Sequence, residues 1–234
     1  MKIGGFQKLS LVDYPGKVSC IVFIAGCNFR CPYCYVPQLV LPEKISKLKE
    51  IPLTEIFSFL QKNKGLNEAV VITGGEPTIH PDLPEFIRKV KDMGYLTALE
   101  TNGTNFEMLK NLIEEELVDY VELDIKNRLD FEKYNLTVGG VLTKETFENI
   151  KKSIEFLLKG KIAYEFRTTL VKEFHEVEDV VEIAKAIKGA SVYYLQNFKT
   201  DVEVIGRKKF TPVDEETLKE MIREADKFVK VVRR

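Results

Sequence analysis

Three cysteines fall within eight positions, Cys27-Asn28-Phe29-Arg30-Cys31-Pro32-Tyr33-Cys34, in the spacing C-x3-C-x2-C. Crowded thiolates suit a soft metal centre and argue against an ordinary disulfide scaffold. A structural zinc site wants four ligands. The fourth is hard to find, because Cys20 lies seven residues back and His80 sits in another loop. A [4Fe–4S] cluster usually takes four cysteines. With three, one iron stays free to bind something else, which is a catalytic arrangement. The cysteines alone leave zinc and cluster both open. Cys20, between Ser19 and Ile21, reads as a small buried apolar residue.

A second set of residues is charged. Side chains alternate faces along a strand. In Tyr120–Lys126, Val121, Leu123 and Ile125 share one face, and Glu122, Asp124 and Lys126 share the other. Glu165, Arg167 and Thr169 share a face of the run 163–171, and Glu100 follows Leu96 and Ala98 in another run. If the apolar faces meet helices, the charges point into the middle of the fold. Unpaired interior charge is costly. The expectation is therefore internal salt bridges, such as Lys126 with Glu122 or Glu165, a polar cavity for a charged ligand, or both. Gly74 and Gly75, in Gly74-Gly75-Glu76-Pro77, let backbone approach a ligand closely, and their carbonyls can accept from an ammonium group.

The elements that must position these residues follow from periodicity. Strands are predicted at Val18–Ile24, Ala69–Thr73, Tyr95–Glu100, Tyr120–Ile125, Ala163–Val171 and Ser191–Gln196, all rich in Val, Ile, Tyr and Phe. Between them run helical stripes, such as Leu83, Phe86, Ile87, Val90 and Met93, and Phe147, Ile150, Ile154 and Leu157. Asp82 and Thr143 are candidate N-caps, and Leu53–Asn63 is a weaker helix after Pro52. Six βα units predict a parallel sheet with right-handed crossovers. They are too few for a closed eight-stranded barrel of ~250 residues. The expected class is α/β, an open (β/α)6 partial TIM barrel. The cysteine loop would follow its first strand, at the end where such barrels hold their active sites. Residues 1–17, with the turn Asp13-Tyr14-Pro15-Gly16, are expected to form an N-terminal hairpin or extension. Residues 18–200 would form the barrel. Residues 201–234 would form a helical extension packed on it, with a final helix over Asp214–Val231 covering the open edge.

The chain has 234 residues, 35 basic and 36 acidic, and a net charge of −1. Its 44% hydrophobic content is that of a globular protein. Without a basic excess, no nucleic-acid partner is expected. The apolar run 21–26 is far short of the ~20 residues of a membrane helix, and Met1–Gly5 does not read as a signal peptide. No membrane partner is expected, and the default setting is cytoplasmic and reducing, where clustered thiols serve metal or redox chemistry.

With Tyr33 just before its last cysteine, the C-x3-C-x2-C loop resembles the signature of the radical S-adenosylmethionine (radical SAM) enzymes. Val71-Ile72-Thr73-Gly74-Gly75-Glu76-Pro77 is similar to their GGE motif. Ser10-Leu11-Val12-Asp13-Tyr14-Pro15-Gly16-Lys17, Glu100-Thr101-Asn102-Gly103 and Leu123-Asp124-Ile125-Lys126 resemble motifs of the glycyl-radical-enzyme activating proteins. The cysteine loop and Tyr193-Tyr194-Leu195-Gln196-Asn197-Phe198 look most like the anaerobic ribonucleoside-triphosphate reductase activating proteins. The resemblance covers about residues 8–199.

The resemblance implies a partial barrel of the radical SAM type. In it Cys27, Cys31 and Cys34 would hold a [4Fe–4S] cluster whose open iron binds S-adenosylmethionine. Gly74, Gly75 and Glu100 would accept from its ammonium, Thr101 and Lys126 would face its carboxylate, and Asp124 its ribose. Arg167 is a further candidate for carboxylate or ribose, and the Tyr33 carbonyl would meet the adenine. Glu76 and Asn102 belong to the same cofactor-binding motifs. One electron, from a flavodoxin or ferredoxin, would cleave S-adenosylmethionine to methionine and a 5′-deoxyadenosyl radical, which takes a hydrogen atom from a glycine of the reductase. Two positions depart from the family pattern. Tyr35 stands where many activating proteins have His, and the sixth strand offers Gln196 or Asn197 where some have His. His80 and His175 match no motif, and His175 is expected on the surface at a helix start. Other readings are a radical SAM enzyme acting on a small molecule or another protein, and a zinc-stabilised binding module.

Overall fold

The computed structural model describes residues 1–200, 202–206 and 208–234. The strands are β1 (Ile3–Ser10), β2 (Ser19–Ile24), β3 (Ala69–Gly74), β4 (Leu96–Thr101), β5 (Tyr120–Asp124), β6 (Ala163–Leu170), β7 (Tyr193–Asn197) and β8 (Val231–Arg233). They form one sheet in sequence order. β1 runs antiparallel to β2, and every later neighbour is parallel. Short helices α1 (Pro37–Val40) and α2 (Pro42–Ile45) follow the cysteine loop, and α3 (Leu53–Lys62) leads to β3. Then come α4 (Leu83–Asp92), α5 (Phe106–Glu114), α6 (Phe131–Thr137), α7 (Lys144–Leu158), α8 (Val177–Ala186) and α9 (Glu215–Ala225). Among the described residues no helix is long and apolar enough to cross a membrane.

Because each strand pairs with the next in sequence, every crossover turns the same way and the sheet curls on itself. The β2–β7 strands are the six predicted from sequence, and the fold is an open α/β partial barrel with β1 and β8 at its two ends.

Two buried clusters follow from the two-residue period of the strands. Val22, Val70, Ile72, Leu99, Val121, Leu123, Phe166 and Leu195 face outward against Leu60, Leu83, Ile87, Leu112, Ile154 and Ile183. Inside the barrel, at the N-terminal ends of the strands, Ile21, Ala69, Val71 and Ala98 pack with Tyr14. The turn Asp13-Tyr14-Pro15-Gly16 thus inserts an aromatic ring into the floor of the barrel. The Tyr14 and Tyr120 rings lie 5.7 Å apart. β1 adds its own pairing, from Ile3↔Ile24 to Ser10↔Ser19.

The C-terminal segment differs from expectation. The helix expected through Val231 ends at Ala225, and Val231–Arg233 becomes β8 beside β7. Phe228 and Val229 continue the helical stripe, but the run Val229-Lys230-Val231-Val232 is β-branched-rich and meets an unpaired strand edge. Stiff χ1 rotamers and free ladder groups both favour a strand there. Thr143 caps α7 in a reciprocal capping box with Thr146. Asp82 occupies the N-cap of α4, yet makes no cap bond. Its carboxylate instead accepts from the Met1 amine at 2.7 Å.

Candidate active site

At the C-terminal ends of the strands lies a cavity of about 300 Å³, at the small end of the ~300–1,000 Å³ range of ligand pockets. Its wall includes Cys27, Cys31 and Cys34 together with Glu100, Asp124, Lys126 and Arg167. Tyr33, Gly74, Gly75, Glu76, Thr101, Asn102 and Gln196 also line it.

The cysteine loop has little regular structure, so its shape comes from braces. Arg30 Nη1 donates to the carbonyls of Cys27 and Phe29, each at 2.7 Å. The Arg30 amide donates to Val138 O at 2.9 Å, and the Gly206 amide to Pro32 O at 2.6 Å. Tyr35 accepts from the Lys199 amide at 2.6 Å and stacks on Phe198 at 5.3 Å. That ring ties the loop to the chain after β7. Burial pushes the Cys27 and Cys31 thiols up to about 12 and raises Cys34 as well. Any bound metal must displace those protons. Cys20 is fully buried in the outer core.

Two glycines set the wall beside the cysteine loop. A Cβ on Gly75 would overlap the Gly26 carbonyl oxygen and stand 3.1 Å from Cys27 Cβ. Gly74 has φ +127°, which L side chains rarely adopt. Only glycines let the end of β3 press against the chain entering the cysteine loop.

Glu76 is buried, and its carboxylate is fully engaged by protein. It accepts from the Thr78 amide at 3.1 Å, Thr78 Oγ1 at 2.6 Å, Thr101 Oγ1 at 2.6 Å and the Asn102 amide at 2.7 Å. Burial nevertheless raises its pKa. Glu76 and Thr101 therefore tie the β3 loop to the β4 loop. Asn102 is likewise committed, to Asn28 Oδ1 at 2.9 Å and Thr104 Oγ1 at 2.6 Å. In Glu76→Gln, an amide would face donors only. The substitution is expected to cost ~1–3 kcal/mol of folding stability, read from denaturant unfolding. An unchanged midpoint would show that the tie is dispensable.

The interior charges form a chain. Asp124 accepts from Lys126 Nζ and from Arg167 Nε, each at 2.7 Å. Arg167 also pairs with Glu122 and, at 3.6 Å, with Glu100, which accepts from Thr73 Oγ1 at 2.7 Å. Burial alone would raise Asp124, but the Arg167 and Lys126 cations hold it below the usual carboxylate range. Burial and the neighbouring Glu100 push Glu122 well up, against the pull of Arg167. The expected pairing of Lys126 with Glu122 or Glu165 is replaced by Lys126 with Asp124. Asp124 is the nearer carboxylate, and Glu122 and Glu165, which stand in register, are taken by Arg167 and Arg234.

His175 is not on the surface: it is 3% exposed. Its Nδ1 accepts from the Val171 amide at 3.0 Å, which leaves Nε2 to donate to the Lys126 carbonyl at 2.9 Å. Burial lowers its pKa, in keeping with a neutral ring. The Lys126 amide donates to Tyr134 Oη at 3.1 Å. His175 and Tyr134 thus clamp the backbone that carries Lys126. No spacing in the sequence announces either role. Asn197 also departs from expectation. Its side chain bonds the backbone of Val213 at 2.7 and 2.9 Å, and it is absent from the cavity wall.

Three observations test the fit of a cluster and a zwitterionic cosubstrate. Tyr33 lines the cavity, and its hydroxyl is buried without a hydrogen-bond partner among the described residues. Gly75 lies so close to Gly26 and Cys27 that no side chain fits there, and its bare backbone borders the cavity. The wall also joins soft donors, carboxylates and cations, the mix that a cluster and a zwitterion require. Among the described residues no group of three His, Cys, Asp or Glu could hold one metal ion. The residues present fit the group.

The chain is similar over 230 residues, at 35% identity, to a protein of Methanocaldococcus jannaschii that carries the provisional name glycyl-radical enzyme activating enzyme. That match covers 97% of this chain and 92% of the relative. The pyruvate formate-lyase-activating enzyme of Clostridium pasteurianum is 26% identical over 205 residues, which cover 85% of this chain and 82% of that enzyme. Among solved structures, anSMEcpe with bound AdoMet superposes with a TM-score of 0.60 at 20% identity. The superposition covers 88% of this chain and 57% of that one, and shows a shared fold. The description of the Radical SAM superfamily matches residues 21–187, from the strand before the cysteine loop to the end of α8. With that span and the full-length relative, the chain belongs to the radical SAM superfamily, whose cofactors are a [4Fe–4S] cluster and S-adenosylmethionine.

Proposed function

We propose that the protein is a glycyl-radical-enzyme activating enzyme whose partner is the anaerobic ribonucleoside-triphosphate reductase. The observation that carries the enzymatic reading is the cavity, with three thiols facing a paired set of carboxylates and cations. The activating role draws on the names of the two relatives described above. In this reading Cys27, Cys31 and Cys34 hold the cluster. Bound and reduced, the cluster supplies the electron that splits S-adenosylmethionine into a species able to take hydrogen from a glycine. Lys126 and Arg167 hold the carboxylate of the cosubstrate, and Glu100 with the Gly74 and Gly75 backbone takes its ammonium. Asp124 keeps both cations in place and faces the ribose. Thr101, Glu76 and Asn102 brace the site, and Gln196 reaches it from β7. A flavodoxin or ferredoxin is the electron donor, in a cytoplasmic, reducing setting.

The test is electron paramagnetic resonance on the reduced protein mixed with S-adenosylmethionine and the co-purified reductase. A glycyl radical signal on the reductase is the expected result. Consumption of S-adenosylmethionine with radical on a different protein or a small molecule would overturn the partner and keep the enzyme class. That second reading is favoured by the core site alone, which radical SAM enzymes with other substrates share.

A further inference from the structure

The floor of the barrel holds a charge cluster outside the cavity. Glu122 and Glu165 are register partners on β5 and β6, so two carboxyl groups stand side by side, an arrangement that repels when both are ionised. Both are buried. Arg234 lies between them. Its Nη1 donates to Glu165 Oε1 at 2.5 Å and to Glu122 Oε2 at 3.0 Å, and its Nη2 to Glu165 Oε2 at 3.1 Å. β8 delivers the side chain. The Arg234 amide donates to Leu195 O at 3.0 Å, and the guanidinium sits 4.0 Å from the centre of the Tyr194 ring. Glu165 also accepts from Tyr120 Oη at 2.5 Å.

One step higher on the same strand faces stand Asp124 and Arg167, again register partners. Glu122 joins the two levels, with one oxygen on Arg167 and the other on Arg234. The interior then sets Glu100, Glu122, Asp124 and Glu165 against Lys126, Arg167 and Arg234. Without Arg234, Arg167 is the one remaining cation in contact with Glu122 among the described residues. A guanidinium drawn down to the floor is lost to the cavity above.

We infer that Arg234 is a positioning residue. It neutralises the Glu122–Glu165 pair, so that Arg167 stays on Asp124 with its guanidinium at the cavity. Through Arg167 it sets the affinity of the cavity for S-adenosylmethionine, although it does not touch the cavity itself. The inference rests on the cosubstrate site assigned under the proposed function.

The test measures S-adenosylmethionine binding by equilibrium dialysis on anaerobically reconstituted protein, with thermal unfolding alongside. Arg234→Gln is expected to raise the Kd about tenfold, typical of coupling within one charge network. Arg234→Lys keeps the charge and is expected to stay within about threefold of wild type. In Glu165→Gln/Arg234→Gln the surplus floor carboxylate is gone without touching any partner of Arg167, and binding is expected to return to near wild type. Arg234→Gln with unchanged Kd and a lowered melting temperature would show a merely structural plug and overturn the inference. So would a double variant as weak as the single. A wild-type protein that binds no S-adenosylmethionine would overturn both this inference and the cosubstrate site.

Discussion

Anaerobic reconstitution with iron and sulfide is expected to give a brown protein with about four irons and four sulfides per chain, as a cubane requires. Cys27→Ala, Cys31→Ala and Cys34→Ala are each expected to lose nearly all of that iron, because two protein thiolates leave a cluster with two open corners. Cys20→Ala is the control, since Cys20 is buried among the outer core residues and lies outside the cavity wall. It is expected to load fully. The loop itself should survive the substitutions, because its short braces run through Arg30, Pro32 and Tyr35, and the one bond to sulfur, from the Phe29 amide to Cys27 Sγ, is long at 3.4 Å. Iron and sulfide content with the visible spectrum decides the matter. A colourless protein holding one tight zinc would sink the cluster assignment.

Lys126→Ala is expected to keep the cluster and most of the stability, yet to weaken S-adenosylmethionine binding by ~1.5–3 kcal/mol, about 10- to 150-fold in Kd. The asymmetry comes from the geometry around Asp124. Losing Lys126 leaves that carboxylate still bonded to Arg167 Nε at 2.7 Å, so no buried charge is stranded. The cavity, however, loses a cation that His175 and Tyr134 hold in place by its backbone. Binding measured on the reconstituted variant checks this. Unchanged affinity would show that Lys126 serves only its ion pair with Asp124.

Much of this was legible in the order of residues. The strands β2 to β7 were read to within about two residues of their observed ends, because a two-residue period with β-branched enrichment is local information. The same period turned Glu122, Asp124, Lys126 and Arg167 inward. The crowding of three cysteines needs no fold to be noticed. The weak points were edges. The stripe of α9 carries the expected helix on to Val231, since Phe228 and Val229 fit it, and only the unpaired edge of β7 makes a strand from Val231 the better choice. Gln196 and Asn197 could not be told apart, because both sit at a strand end where the phase is about to lapse. Gln196 faces the cavity and Asn197 holds Val213.

What the sequence by itself determined is the set of elements, the inward face of each strand and the presence of a three-thiolate loop. These depend on neighbours within a few residues, where backbone geometry dictates which side chains align. Tertiary structure alone decided which charges meet. Lys126 pairs with Asp124, Glu76 is spent on tying two loops together, and His175 is drawn from the surface to the Lys126 carbonyl. Arg234 reaches Glu165 across 69 positions of chain. Such partners are chosen by distance through space in a low-dielectric interior, where the energy of an ion pair changes steeply over a few ångströms, and no local pattern encodes that distance.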